Sequence, residues 1–280
     1  MPFPPAIPFG GLAGFRFVER TYDRQFTTFN KSPDFQREIQ YFLDNAGDIN
    51  SVDKLMGDRR VLSVVLGAFG LDEDIDKGAF IRKVIEEGTL KDDAFANRLV
   101  EPAYREMAAF LGFGDVGGTL VFESTRLNLI DRYGERQFEL AVGEVDFDMR
   151  LALNFKREAA KIVGETGDER TAWLRLLGST PTRRVLESAL NLPDQFALID
   201  IDQQVDEIIR RADAQLDVSS PADLGDDQIM SQMVDRFLLN QQVRQGVISS
   251  STRGSTALTL LQSSGLGAAA QQNLFASGLG

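Results

Sequence analysis

Two segments that recur in the same order along the chain constrain its fold more than any other feature. The stretch DFQREIQYFLDNAGD, Asp34 to Asp48, matches NFKREAAKIVGETGD, Asn154 to Asp168: Phe35, Arg37, Glu38, Gly47 and Asp48 recur as Phe155, Arg157, Glu158, Gly167 and Asp168 at an offset of 120. Farther on, Arg59, Arg60, Val61, Leu62 and Leu66 recur as Arg183, Arg184, Val185, Leu186 and Leu190 at an offset of 124. The second offset persists, with Ile75, Ile81, Val84 and Ile85 set against Ile199, Val205, Ile208 and Ile209. After a further insertion, Asp92–Asp93 and Leu99–Val100 parallel Asp226–Asp227 and Met233–Val234. Self-similarity at a long period, kept in order, reads as a duplicated unit.

Each matched block has helical spacing. Val61, Leu62, Val65, Leu66 and Phe69 share one broad face, with Asp58 placed to cap the start and Gly70 to end it. Pro181 suits the first turn of the counterpart helix. Gly88 ends one helix and Asp92 or Asp93 starts another that runs toward Phe110. Leu127, Leu129, Ile130, Tyr133, Phe138 and Leu140 predict a helix across the join, and only GTLVF, Gly117 to Phe122, has a strand-like composition. The expected fold is all-α, two related multi-helix halves flanked by low-complexity termini. The divisions fall at 1–19 (rich in Pro, Gly and Phe), 20–120, 121–242 and 243–280.

The adjacent arginines at the head of the repeated helix, Arg59–Arg60 and Arg183–Arg184, place cations where the helix macrodipole is positive. Nearby acids such as Asp53 or Glu38 are the simplest partners to hold them; an anion site is the weaker alternative.

Composition removes whole classes of chemistry. The chain has no His and no Cys, so no thiolate nucleophile, disulfide, zinc–sulfur centre or imidazole base exists, and catalysis would rest on carboxylates, Lys or Tyr. A net charge of −12 opposes nucleic acid and anionic lipid. No apolar run approaches the ~20 residues of a spanning helix, so membrane insertion is not expected. The opening MPFPPAIPFGG lacks the basic and apolar regions of a cleavable signal.

Three motifs resolve into bland readings. DEDIDKG, Asp72 to Gly78, begins like a calcium loop, but Lys77 and Lys83 stand where the turn glycine and bidentate glutamate are required. Its acids better suit capping of the following helix. Gly112, Gly114 and Gly117 have dinucleotide-fingerprint spacing yet follow a helical pattern, and read as a linker. The pairs Glu86–Glu87, Asp92–Asp93 and Asp226–Asp227 read as solvated faces or caps, and the strings TRLNLIDRYGER and REIQYF as exposed amphipathic helices. No catalytic, cofactor or metal residues are assigned. The tail from Gln241 has no acidic residue and only Arg244 and Arg253 charged, a composition expected to be disordered in isolation. Candidate partner contacts are Phe9, Phe15 and Phe17 near the start, and Leu258, Leu260, Leu261, Leu274 and Phe275 in the tail.

The string from Ser51 to Phe113, with its DRRVL, AFGL and DDAFANRL segments, resembles a family of unknown biochemical activity found mainly in alphaproteobacteria. The resemblance extends through RYGERQFELAVGEVDFDMRLALNFKRE, Arg132 to Glu158. Members of that family are commonly encoded among flagellar genes. The resemblance implies a motility setting and no active site. The expected role is a non-enzymatic structural component or assembly factor of the bacterial flagellum, exported without a cleaved signal. Its expected partners are other flagellar proteins or further copies of itself. The alternative is a cytoplasmic chaperone, adaptor or regulator of flagellar assembly; a carboxylate hydrolase ranks third.

Overall fold

The computed structural model describes the backbone of residues 4–164 and 167–263, and the side chains of those residues except 194 and 247–263. The described residues fold entirely as helices, turns and loops, with no strand. The first six helices are α1 (Gly11–Asn30), α2 (Pro33–Ala46), α3 (Val52–Gly57), α4 (Arg59–Ala68), α5 (Gly78–Glu87) and α6 (Pro102–Leu111). A four-residue helix, α7 (Phe113–Val116), leads to α8 (Glu123–Gly143), α9 (Phe147–Gly164) and α10 (Glu169–Gly178). Then come α11 (Thr180–Ala189), α12 (Ile201–Leu216) and α13 (Asp227–Ser263). One compact unit ends at Leu238 and a second begins at Leu239.

Helix α4 shows how the local sequence sets its limits. The Asp58 carboxylate accepts from the backbone N–H groups of Arg60 and Val61, each at 3.0 Å, satisfying donors that the first turn leaves free. At the other end Gly70 adopts φ +73°, which only glycine takes without strain, and the Leu71 N–H reaches back to the Leu66 carbonyl at 2.9 Å. Between them Val61, Leu62, Val64, Val65 and Leu66 are buried.

Helix α8 is the hub of the first unit and packs against α1, α2, α4 and α9. Gly67 is what lets α4 cross it closely: a Cβ there would stand 2.7 Å from the Tyr133 ring. Phe138 projects from α8 into an aromatic cluster, edge-on to Tyr22, Phe26 and Phe29 of α1 with centroids 5.2 to 5.7 Å apart. Tyr133 stacks on Phe35 of α2 at 5.7 Å. Ion pairs tie α1 to the later helices, from Arg16 to Asp235 of α13 at 2.6 Å and from Glu19 to Lys156 of α9.

Packing recurs along the chain. Helix α2 packs on α4, and α9 on α11; α3 packs on α4 and α5, and α10 on α11 and α12. Short 3-10 turns precede α5 and α6 at Asp72–Asp74 and Phe95–Arg98, and precede α12 and α13 at Asp194–Leu198 and Pro221–Gly225.

Several expectations change. GTLVF is a series of bends and turns into α8 with Leu120 buried, because left-handed backbone at Gly117 and Gly118 turns the chain. Helix α6 starts at Pro102 rather than at Asp92 or Asp93; the proline suits a first helical turn and disfavours helical backbone just before it. The aspartates of DEDIDKG do not cap α5 but disperse. Asp72 accepts from Gln137 at 2.7 Å, Asp74 from Tyr104 and Lys77, and Asp76 pairs with Arg59. The first division, at residue 19, falls inside α1. Helix α13 carries regular backbone through Ser263, so the tail is helical to that point.

The repeated arginines are held by side chains of their own fold. Arg60 donates to Glu38 at 3.1 Å and lies 3.6 Å over the Tyr41 ring, whose hydroxyl donates to Asp58. Arg59 takes Asp76 at 2.6 Å, whereas the expected Asp53 pairs with Arg82 at 2.5 Å. In the second block Arg183 donates to Glu187 and Gln204, and Arg184 lies over Phe147 at 5.3 Å. The Arg59–Asp76 pair is exposed at both ends, so Arg59→Ala should change stability by less than ~0.5 kcal/mol. Arg60→Ala loses an ion pair and a stacked face, and should cost about 1 kcal/mol. Denaturant titration of both variants checks the order.

Candidate functional site

Helices α8 and α9 meet through a cluster of charge withdrawn from water. Arg157 donates to both oxygens of Glu139, at 2.7 and 3.1 Å, and to Glu158 at 2.5 Å. Arg136 donates to the same Glu158 oxygen at 2.8 Å. With its amide oriented to suit its neighbours, Asn154 accepts from Arg157 at 2.8 Å and Arg136 at 2.9 Å. Gly70, at the end of α4, leaves room beside the Arg136 guanidinium, which would lie 3.2 Å from a Cβ there.

The charges within the cluster are mutually dependent. Burial and the neighbouring Arg157 push the Arg136 guanidinium below its ordinary pKa. Burial also opposes charge on Arg157, but the carboxylates of Glu139 and Glu158 outweigh it and hold that group above its ordinary value. Burial likewise opposes charge on Glu158, and Arg157 and Arg136 overcome it, so its carboxyl lies below the usual range. Every member has its counter-charge in place, so the cluster is a clamp between helices rather than a vacant site.

In front of this clamp, α1, α2 and α8 enclose an open cavity of about 340 Å³. Phe26, Phe35, Ile39 and Ile130 supply apolar walls; Asn30, Gln36, Asp131 and Glu135 supply polar groups. Asp131 and Glu135 sit one turn apart on α8 and therefore face the same side. The Glu135 carboxyl is pushed up by its burial and by Glu139 and Asp131, with Arg157 and Arg136 opposing. The Asn30 side-chain Oδ1 is buried away from the opening and has no donor. The Gln36 amide is already spent on the Asn30 backbone carbonyl at 2.6 Å. What remains is a pair of carboxylates over an apolar floor. Two carboxylates on one face of one helix do not oppose each other across a scissile bond, so the arrangement suits binding of a cationic, partly apolar group better than hydrolysis.

The expected partner contacts do not converge on this cavity. Phe9 is 62% exposed, Phe17 is half-buried, and Phe15 is fully buried in the core, which corrects its reading as a surface anchor. The periodicity of α1 explains the difference, since Phe15 falls with Val18 and Phe29 on its inward side. Leu258, Leu260 and Leu261 lie on the described backbone of α13, and Leu274 and Phe275 lie outside the described residues. Among the described residues no cluster of three or more Asp or Glu could hold a metal ion, and no helix is long and apolar enough to cross a membrane. Asp131, Glu135 and Arg136 belong to the string read as an exposed amphipathic helix; α8 is instead covered on several sides. The available signal was Tyr133, Gly134 and Phe138 interleaved with the charges, a pattern too apolar for a solvated helix.

The family described as "Protein of unknown function (DUF1217)" matches residues 68–245, more than half of the chain. This chain belongs to the DUF1217 family. The DUF1217 match spans both helices of the clamp and the acidic side of the cavity, whereas Phe26, Asn30, Phe35 and Ile39 precede it. The fold is similar to the crystal structure of the protein AGR_C_984 from Agrobacterium tumefaciens, with a TM-score of 0.69 and 26% sequence identity. That alignment covers 86% of this chain and 99% of the other. No curated protein matches the sequence.

Two predictions follow from these charges. Arg157→Met strands the buried Glu139 carboxylate and leaves Glu158 with Arg136 alone; it should cost roughly 3–5 kcal/mol, while Arg157→Met combined with Glu139→Leu should recover part of that loss. Denaturation midpoints of the two variants decide it. The Glu135 carboxyl has its folded pKa raised, so its contribution to stability is greatest below the unfolded pKa and is lost as pH rises through the folded value. Glu135→Gln should therefore raise the melting temperature near neutral pH, and the gain should vanish as pH falls below the usual carboxylate range.

Proposed function

We propose that this chain is a non-enzymatic structural component or assembly factor of the bacterial flagellum, working through contacts with other flagellar proteins or with its own kind. The observation that carries this reading is the resemblance of the Ser51–Phe113 and Arg132–Glu158 strings to a family commonly encoded among flagellar genes. Membership of DUF1217 over 68–245 is compatible with it. A protein-binding role also suits the chemistry: the buried charges are spent on joining helices, and the cavity offers an apolar floor with acceptors.

We read the body as an ancient duplication of one helical unit. The recurring packing of α2 on α4 and α9 on α11, together with the ordered sequence matches, supports it. Phe35 and Phe155 are both buried, and so are Val61 and Leu62 with Val185 and Leu186. The charged positions diverge. Arg37 pairs at the surface with Asp34, whereas Arg157 lies in the buried clamp. In this reading one half retained an ordinary exposed helix while the other specialised in holding the hub.

The second reading is a cytoplasmic adaptor or export chaperone for a flagellar client. The open cavity between α1, α2 and α8 favours it, because grooves between helices take the apolar face of an amphipathic segment. An in-frame deletion should reduce swimming, with fewer or shorter filaments in electron micrographs, and the protein should co-purify with hook–basal bodies. Recovery solely in cytosol with an unassembled client would favour the adaptor. Normal motility, filament number and hook assembly in the deletion strain would refute both.

A further inference from the structure

The cavity between α1, α2 and α8 is lined by two carboxylates and by no Lys or Arg. Asp131 and Glu135 form no ion pair among the described residues, and the cavity beside them is open. Two carboxylates one turn apart beside an apolar wall attract a positive charge carried on an apolar stem. The missing complement is a cation rich in N–H groups on an apolar stem. Arginine fits that description best, with five donors in a planar fork.

The same sequence carries the converse deficiency. Residues 241–280 contain Arg244 and Arg253 and no acidic residue, so neither arginine can find a carboxylate three or four positions away. The segment therefore has a charge of +2; taken from the total of −12, this leaves −14 on residues 1–240. Over its first part this basic segment is helical, since α13 runs to Ser263. It also carries Val243, Val247, Ile248, Leu258, Leu260 and Leu261. Helical stability in proteins comes mostly from packing of an apolar face, so this segment gains from an apolar surface to rest on.

We propose that the α1–α2–α8 cavity receives the arginine-bearing, acid-free segment that follows Leu239 in a second copy of this chain. Charge complementarity selects this occupant: acids without cations on one surface meet cations without acids on another. Two copies of the segment pairing side by side in parallel would set Arg244 against Arg244 and Arg253 against Arg253, which disfavours that form of self-association. Because the two surfaces differ, the contact is head-to-tail and does not stop at a dimer; it closes into a ring or continues as a chain. The inference concerns this chain alone and stands or falls independently of a flagellar role.

The test is the mass distribution of the purified full-length chain by sedimentation velocity over a wide concentration range. Concentration-dependent oligomers larger than a dimer are expected, weakening as salt is raised. Asp131→Lys with Glu135→Lys should weaken association roughly tenfold or more, as should Arg244→Glu with Arg253→Glu. Combining all four reversals should restore it. Asp131→Asn with Glu135→Gln is the milder pair should the lysines disturb α8, with circular dichroism as the check that helix content is kept, and it should also weaken association. A monomer at every concentration would overturn the proposal, whether the cavity then holds the chain's own segment or another protein. Oligomers indifferent to these charges, or a quadruple variant that fails to recover, would overturn it equally.

Discussion

The contact of Arg157 with Glu139 and Glu158, completed by Arg136 and Asn154, is the interaction on which the arrangement of helices depends. Ions withdrawn from water carry a desolvation cost that their attraction offsets only when every counter-charge is in place. Glu139 and Arg136 come from α8, Arg157 and Glu158 from α9, and Gly70 at the end of α4 makes room for the Arg136 head. A shift of α8 by one turn would part Glu139 from Arg157 and Arg136 from Glu158 in a low-dielectric interior. Apolar packing alone tolerates such sliding far better, because one leucine replaces another with little loss. The clamp thus sets the register of α8, and α8 sets the positions of α1, α2 and α4.

That register determines which side of α8 faces out. With Arg136 and Glu139 turned toward α9 and Tyr133 and Phe138 toward α1 and α2, Asp131 and Glu135 are left beside the cavity. Arg157 and Arg136, whose charges act on Glu135, are already committed to Glu139 and Glu158. A structural ion cluster on one face thereby leaves unneutralised acids on the next.

Two segments matched in sequence illustrate how sequence similarity and structural role separate. Phe35 and Phe155 both enter the core, because burial asks only for an apolar side chain at the right helical phase. Arg37 and Arg157 stand at matching positions, yet one reaches Asp34 at the surface and the other the clamp. The difference lies in what packs above them, and α8 covers only the latter.

The sequence by itself determined the helical class, the limits of α4 at Asp58 and Gly70, the end of α5 at Gly88 and the buried faces of the repeated helices. Each of these is settled within one or two helical turns, by a cap, a left-handed glycine or a 3.6-residue period. It also predicted that acids would hold the repeated arginines, and Glu38 does hold Arg60. Only the tertiary structure decided that Asp76 rather than Asp53 takes Arg59, that Phe15 is core, and that the charges of α8 and α9 form a clamp. It also placed Asp131 and Glu135, without an ion pair among the described residues, at the open cavity. Charges pair across tens or hundreds of positions, as Arg16 does with Asp235, and an unpaired carboxylate has the same local sequence as a paired one. Helical phase is a local property of the chain, whereas electrostatic partnership is a property of the packed interior.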